Sequence, residues 1–155
     1  MTEIITTGVI RTYHDKEKTK LKEEYFIHKN KKEGIYKEYS YYEQLCKEVN
    51  YIDGKMNGIC KSYYDNGQLF EEINYINDKK NGIYKSYWSN GQLESEKNYI
   101  DGKIVDGIYK SYYLNGQLWE EVNYIDGKIV DGIYKSYWWN GQLYEEINYI
   151  DDLEQ

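Results

Sequence analysis

The sequence predicts an all-β protein, an elongated antiparallel meander of about six repeated β-hairpins with no helices of note. Three observations carry this. A glycine ahead of "I[YC]K" recurs at Gly34, Gly58, Gly82, Gly107 and Gly132, at spacings of 24, 24, 25 and 25 residues, and a fixed period of 20 to 50 residues marks a repeat architecture. Within a period, two β-prone runs flank a two-residue Asn-Gly link, the strongest short-range hairpin signal. Proline, which would break a central strand, is absent from all 155 residues.

The copies run 8–33, 34–57, 58–81, 82–106, 107–131 and 132–152, and together make residues 1–155 a single repeat domain. The first is degenerate: "GVIRTYHDKEKTKLKEEYFI" keeps the pattern with a two-residue insertion before Leu21. The second reads "SYYEQL" at 40–45, without Asn-Gly, whereas "NGQL" stands at 66, 90, 115 and 140. Taking Asn115-Gly116 as a type I′ turn, which needs positive φ at both residues, pairs Leu114 with Gln117, Tyr113 with Leu118, Tyr112 with Trp119 and Lys110 with Glu121. Period-two alternation then puts Tyr109, Ser111, Tyr113, Leu118, Glu120, Val122 and Tyr124 on one face and Ile108, Lys110, Tyr112, Trp119, Glu121 and Asn123 on the other.

Opposed charges recur at Arg11 with Glu24, Lys37 with Glu48, Lys61 with Glu72, Lys85 with Glu96, Lys110 with Glu121 and Lys135 with Glu146. One exposed pair contributes about 0.2–1 kcal/mol. A row of them specifies register, because a slip of one residue turns every charge to the other face. Between copies, "NYIDGKMNG" predicts an Asp53-Gly54 hairpin with Glu48 opposite Ile59 and Val49 opposite Gly58. The extra residue in "IDGKIVDG" at 100–107 and 125–132 requires a bulge or a longer loop to preserve the faces. About twelve strands at roughly 4.8 Å give a ribbon about 55–60 Å long. Its final edge carries Asp151, Asp152 and Glu154, charges that discourage edge-to-edge aggregation.

Composition narrows the function. The net charge of -7 argues against a general nucleic-acid binder, since phosphate neutralisation needs a surplus of Lys and Arg. Residues 1–37 hold nine basic and six acidic side chains, net +3, and residues 38–155 eleven and twenty-one, net -10. "MTEIITTGVIRTYHDKEK" has no long apolar stretch, and no segment approaches the roughly 18 apolar residues of a membrane span. The expected setting is cytoplasmic, the host cytoplasm for a viral protein.

No catalytic residue, metal ligand or cofactor is expected. His14 and His28 stand fourteen residues apart with no cysteine cluster, whereas structural zinc needs four well-spaced ligands. The Glu pairs at 71–72, 120–121 and 145–146 point to opposite faces of their strands. Cys46 and Cys60 fill aromatic slots on opposite faces, which blocks a disulfide. Most slots repeat faithfully. Two vary: the Trp119 slot holds Lys22, Cys46, Phe70, Glu94, Trp119 and Tyr144, and the Leu114 slot holds Asp65, Ser89, Leu114 and Trp139 in the last four copies. Tyr112, Leu114, Trp119, Tyr137, Trp139 and Tyr144 are the candidate partner-binding residues, forming one aromatic surface with Trp138 pointing oppositely. Exposed aromatic patches mark interaction sites; the competing reading is that the rings only cover neighbouring strands. Lys29, Lys31 and Lys32 in the basic head are the candidates for weak membrane contact.

The motif "YYxNGQLxEExNYIDGKxxG", nearly whole at 63–82, 87–107 and 112–132, resembles the variant class of the MORN-repeat superfamily, with weaker likeness over 8–57. The resemblance implies an antiparallel hairpin array serving as a non-enzymatic protein-protein interaction scaffold whose partner is another protein. It also implies rival roles: a structural component of a larger particle such as a virion, an antitoxin-type binding protein, or weak membrane-surface binding through the head. End-to-end or edge-mediated homo-oligomerisation is compatible with any of these.

Overall fold

The computed structural model describes residues 6–125, 128–129 and 132–149. Asp151, Asp152 and Glu154 lie outside them, as does part of the link at 125–132. The strands are β1 (Thr7–Tyr13), β2 (Leu21–His28), β3 (Lys31–Tyr39), β4 (Leu45–Ile52), β5 (Lys55–Tyr63), β6 (Leu69–Ile76), β7 (Lys79–Lys80), β8 (Gly82–Tyr87), β9 (Leu93–Ile100), β10 (Lys103–Ile104), β11 (Gly107–Tyr112), β12 (Leu118–Ile125), β13 (Lys128–Ile129), β14 (Gly132–Tyr137) and β15 (Leu143–Tyr149). They form one antiparallel sheet in the order β1-β2-β3-β4-β5-β6-β8-β9-β11-β12-β14-β15. The two-residue strands β7, β10 and β13 pair with β6, β9 and β12. Every long strand therefore pairs with its neighbours in sequence.

The Asn-Gly turns differ from the sequence expectation, whereas the Asp53-Gly54 link is the two-residue hairpin expected, with Ile52 paired to Lys55. At the Asn-Gly sites Tyr113 N–H donates to Gln117 O and Gly116 N–H to Tyr113 O, both at 2.8 Å. In that turn only Gly116 takes a positive φ, 81°. This is a three-residue loop, a type I turn followed by a left-handed glycine. Type I′ turns occupy the links instead: φ is positive at both Asp53 and Gly54 (51° and 82°), Asp101 and Gly102 (52° and 82°), Asn77 and Asp78 (50° and 68°), and Lys29 and Asn30 (49° and 61°). The "SYYEQL" segment forms the same loop as "NGQL", with Ser40 N–H bonded to Gln44 O and Glu43 in the left-handed position at φ 64°.

The three-residue loop changes the pairing beside it. Ile108↔Asn123, Tyr109↔Val122 and Lys110↔Glu121 stand as expected. Tyr112, however, pairs with Leu118 rather than Trp119, and Ser111 with Glu120, so Trp119 is the extra residue of a β-bulge. The same shift leaves Lys22, Cys46, Phe70 and Tyr144 without a cross-strand partner. A bulged residue is free of ladder constraints, which explains why this slot varies between copies.

Pairing between hairpins also differs. Glu48 lies opposite Lys61 and Val49 opposite Cys60, not Ile59 and Gly58. A bulge on β5 absorbs the two-residue difference: Asn50 Nδ2 donates to Asn57 O at 2.8 Å and Gly58 takes φ 107°. At the longer link, Val105 N–H reaches Asn98 O at 2.9 Å, and β11 pairs with β9 only at Lys110↔Glu96 and Ser111↔Ser95. This is the expected bulge, and beside it opens a groove of about 540 Å³ lined by Ile83, Asn98 and Ile108.

Together the bulges place a base opposite an acid at every strand junction: Arg11, Glu24, Lys37, Glu48, Lys61, Glu72, Lys85, Glu96, Lys110, Glu121, Lys135 and Glu146 form one alternating row across the sheet. On the opposite face Tyr36, Val49, Cys60 and Ile73 form the core. A single sheet has no second layer to cover such residues. Tyr25, Tyr51, Met56, Tyr75, Tyr84 and Tyr99 pack over them instead, large side chains that seal the apolar line.

Candidate functional site: the aromatic turn edge

The Asn-Gly turns stack along one long edge of the ribbon and are tied to one another by side chains. Each Asn closes its own turn by accepting from the N–H two residues on, Gln68, Gln92, Gln117 or Gln142, at 3.0 Å. Its Nδ2 then donates to the following turn, Asn66 to Ser89 O (2.8 Å), Asn90 to Leu114 O (3.1 Å) and Asn115 to Trp139 O (2.8 Å). A second tie runs beside the first. Tyr64 Oη donates to Tyr87 O, Trp88 Nε1 to Tyr112 O and Tyr113 Oη to Tyr137 O, at 2.8, 3.1 and 2.8 Å.

His14 occupies this slot in the first copy, its Nε2 bonded to Tyr39 O at 2.9 Å. Its role in the fold is therefore that of the tyrosines and tryptophan of later copies. His28 Nδ1 lies 3.4 Å from Thr7 Oγ1. Among the described residues no group of three or more His, Cys, Asp or Glu side chains is placed to hold a metal. Cys60 is buried in the core and Cys46 half-buried, and burial pushes both thiols up, which keeps them protonated and unreactive near neutral pH.

On this edge the tie residue packs against the bulged residue of its own copy. Ring centroids lie 5.0 Å apart for Tyr64 and Phe70, 6.1 Å for Tyr113 and Trp119, and 4.6 Å for Trp138 and Tyr144. Trp138 therefore stands with Tyr144 instead of pointing away from it, and the stack is built on Tyr113 and Trp138, with Tyr112 and Tyr137 half-buried in the strands. Parity counting missed this because the bulge at Trp119 and Tyr144 breaks the alternation. Leu114 and Trp139 sit in the turns, 55% and 68% exposed, and Trp119, Trp138, Leu143 and Tyr144 are also exposed. One aromatic pair escaped the sequence reading: Tyr41 and Tyr42, 54% and 83% exposed in the second turn. Only the recognition that "SYYEQL" is a turn could have found it.

The basic head presents a different picture. Lys31 Nζ bonds Asp53 Oδ1 at 2.6 Å. Lys32 Nζ lies over the rings of Tyr25, Tyr36 and Tyr51, at 4.6, 4.1 and 5.1 Å from their centroids, a cation-π arrangement that caps the core. Lys29 stands in a type I′ turn. Two of the three lysines are thus engaged within the chain. Among the described residues no helix is long and apolar enough to cross a membrane.

The MORN repeat variant family model matches residues 56–77, 80–101, 105–126 and 130–151. Among solved structures, a mutant of S. aureus TarM crystallised with fondaparinux, alpha-GlcNAc-glycerol and UDP is similar over 77% of this chain and 20% of its own. It shares 12% identity at a TM-score of 0.41, so the chain spans about a fifth of that protein's length. No curated protein matches. MORN repeats generally mediate protein or membrane interactions and are in general non-enzymatic. With its repeating motif, its hairpin sheet and this match over more than half its length, the chain belongs to the MORN repeat variant family.

Proposed function

We propose that the protein is a non-enzymatic protein-protein interaction scaffold, and that its contact surface is the aromatic turn edge toward the C-terminal copies. The observation that carries this reading is the exposure of Leu114, Trp119, Trp138, Trp139, Leu143 and Tyr144 along one edge of the last two copies. An apolar cluster of this kind is what partner surfaces use as anchors. The stacked turns beneath it hold the rings in place, which lowers the entropy cost of binding.

The test is a pull-down with the purified chain, followed by affinity measurement for the captured partner with Trp119→Ser/Trp139→Ser. Neither ring makes a tie to the next turn, so the fold should persist. Binding should weaken at least about tenfold, equivalent to 1.4 kcal/mol. Unchanged affinity, together with a lost thermal transition, would assign the rings to packing. The edge would then have no binding role.

A further inference from the structure

The alternating row and the turn ties define what the sheet accepts at each strand junction, and both ends of the array fit that definition. At β15, Glu146 faces Lys135 on one side and Glu145 faces Ser136. At β1, Arg11 faces Glu24 and Thr12 faces Glu23. Among the described residues neither strand pairs on its other side. Every junction from one hairpin to the next sets a glutamate against a lysine, as Glu121↔Lys135 does, and Glu120 lies beside it opposite Ser136. Arg11 and Thr12 occupy the lysine and serine slots of the first copy.

We infer that the chain self-assembles head to tail, the β1 edge of a second copy pairing antiparallel with β15 and continuing the sheet across the junction. In that register Arg11 of the second copy faces Glu146 and its Thr12 faces Glu145. The turn ties continue in the same way. Trp138 takes the position from which Trp88 Nε1 reaches Tyr112 O, which directs its indole N–H to the Tyr13 carbonyl of the incoming copy. Among the described residues there is no further turn for Asn140 Nδ2, which instead lies 3.3 Å from Gln142 Oε1; Asn66, Asn90 and Asn115 all reach the next copy. Charge selects this pairing over its rivals. The first 37 residues are net +3 and the rest net -10, so head-to-head and tail-to-tail contacts juxtapose like charges, and like charges across an interface suppress wrong partners. Because the two surfaces differ, the contact is heterologous and has no two-fold limit, so copies add one after another and the mean size of the assembly grows with concentration.

Sedimentation velocity over a concentration series, up to on the order of 1 mM where weak contacts saturate, tests this with the whole chain. Wild type should grow with concentration. Arg11→Glu and Glu146→Lys should each weaken association by about tenfold or more, because each sets like charges opposite one another. A 1:1 mixture of the two variants should recover assembly, since a junction between unlike variants joins either the two substituted side chains or the two native ones, and both combinations set opposite charges together. Circular dichroism of each variant checks that it is folded. A wild type that stays monomeric throughout overturns the inference. So does either variant assembling alone like wild type, or a mixture of folded variants that remains monomeric. This proposal does not depend on the aromatic edge: Trp119→Ser/Trp139→Ser should assemble like wild type whether or not it loses its partner.

Discussion

The two halves of the ribbon use one repeat for different ends. Across β3 to β6, Tyr36, Val49, Cys60 and Ile73 form a continuous buried line, Val49 at 1% exposure, with the Lys32 ammonium held over three tyrosine rings. Across β11 to β15 the buried hydrophobics among the described residues are Tyr109 and Val122, and the large rings stand on the turn edge in solvent. A one-layer array has no shared interior, so each copy is stabilised by its own cover and its neighbours. Where Met56 and the tyrosines supply that cover, aromatic residues are internal. From β6 onward the link bulges away, and direct pairing between the long strands of successive hairpins is confined to two residue pairs, against five between β4 and β5.

This contrast can be broken most forcefully at Val49. Val49→Ala should destabilise by roughly 2–3 kcal/mol, as a cavity in a packed site does, whereas Val122→Ala should cost about half as much. Urea midpoints for the two variants check this, and equal losses would show that the halves are equally packed. Next in size is the loss of at least about 1.4 kcal/mol of partner binding expected for Trp119→Ser/Trp139→Ser, with a melting temperature close to wild type.

Alkali should act on the tyrosine-covered part of the sheet. Burial, reinforced by Glu71, pushes the Tyr84 phenol up to about 12, and burial with the Tyr87 Oη to Glu72 hydrogen bond does the same at Tyr87. Both folded values lie above the ordinary 10.0, so these rings contribute stability that is complete below pH 10 and is lost as pH rises toward about 12. Denaturation midpoints measured from pH 9 to 12 should therefore fall, and Tyr84→Phe should flatten the decline. The smallest effect is expected at Glu43, whose left-handed φ of 64° costs about 1 kcal/mol in a residue with a Cβ. Glu43→Gly should stabilise the second copy by up to about 1 kcal/mol, the weak Lys20 pair at 3.8 Å being a minor loss. A Gly116→Ala change in the second half should do the opposite by a similar amount.

Sequence alone determined the period, the strands, their antiparallel order and the pairing of Lys110 with Glu121, because these depend on local β-propensity and on a charge pattern repeated in every copy. It also singled out Trp119 and Leu114 as positions the ladder leaves free. Tertiary structure decided the turn types, the bulges and hence the company each ring keeps. An Asn-Gly pair suits either a two-residue or a three-residue loop. The choice rests on contacts between turns 24 or so residues apart, where Asn115 reaches Trp139 O and Tyr113 reaches Tyr137 O. Those ties hold the three-residue loop in place, the loop requires a bulge at Trp119, and the bulge sets Trp138 against Tyr144. Period-two counting along a single strand carries no information about a neighbour that accepts a hydrogen bond one repeat away.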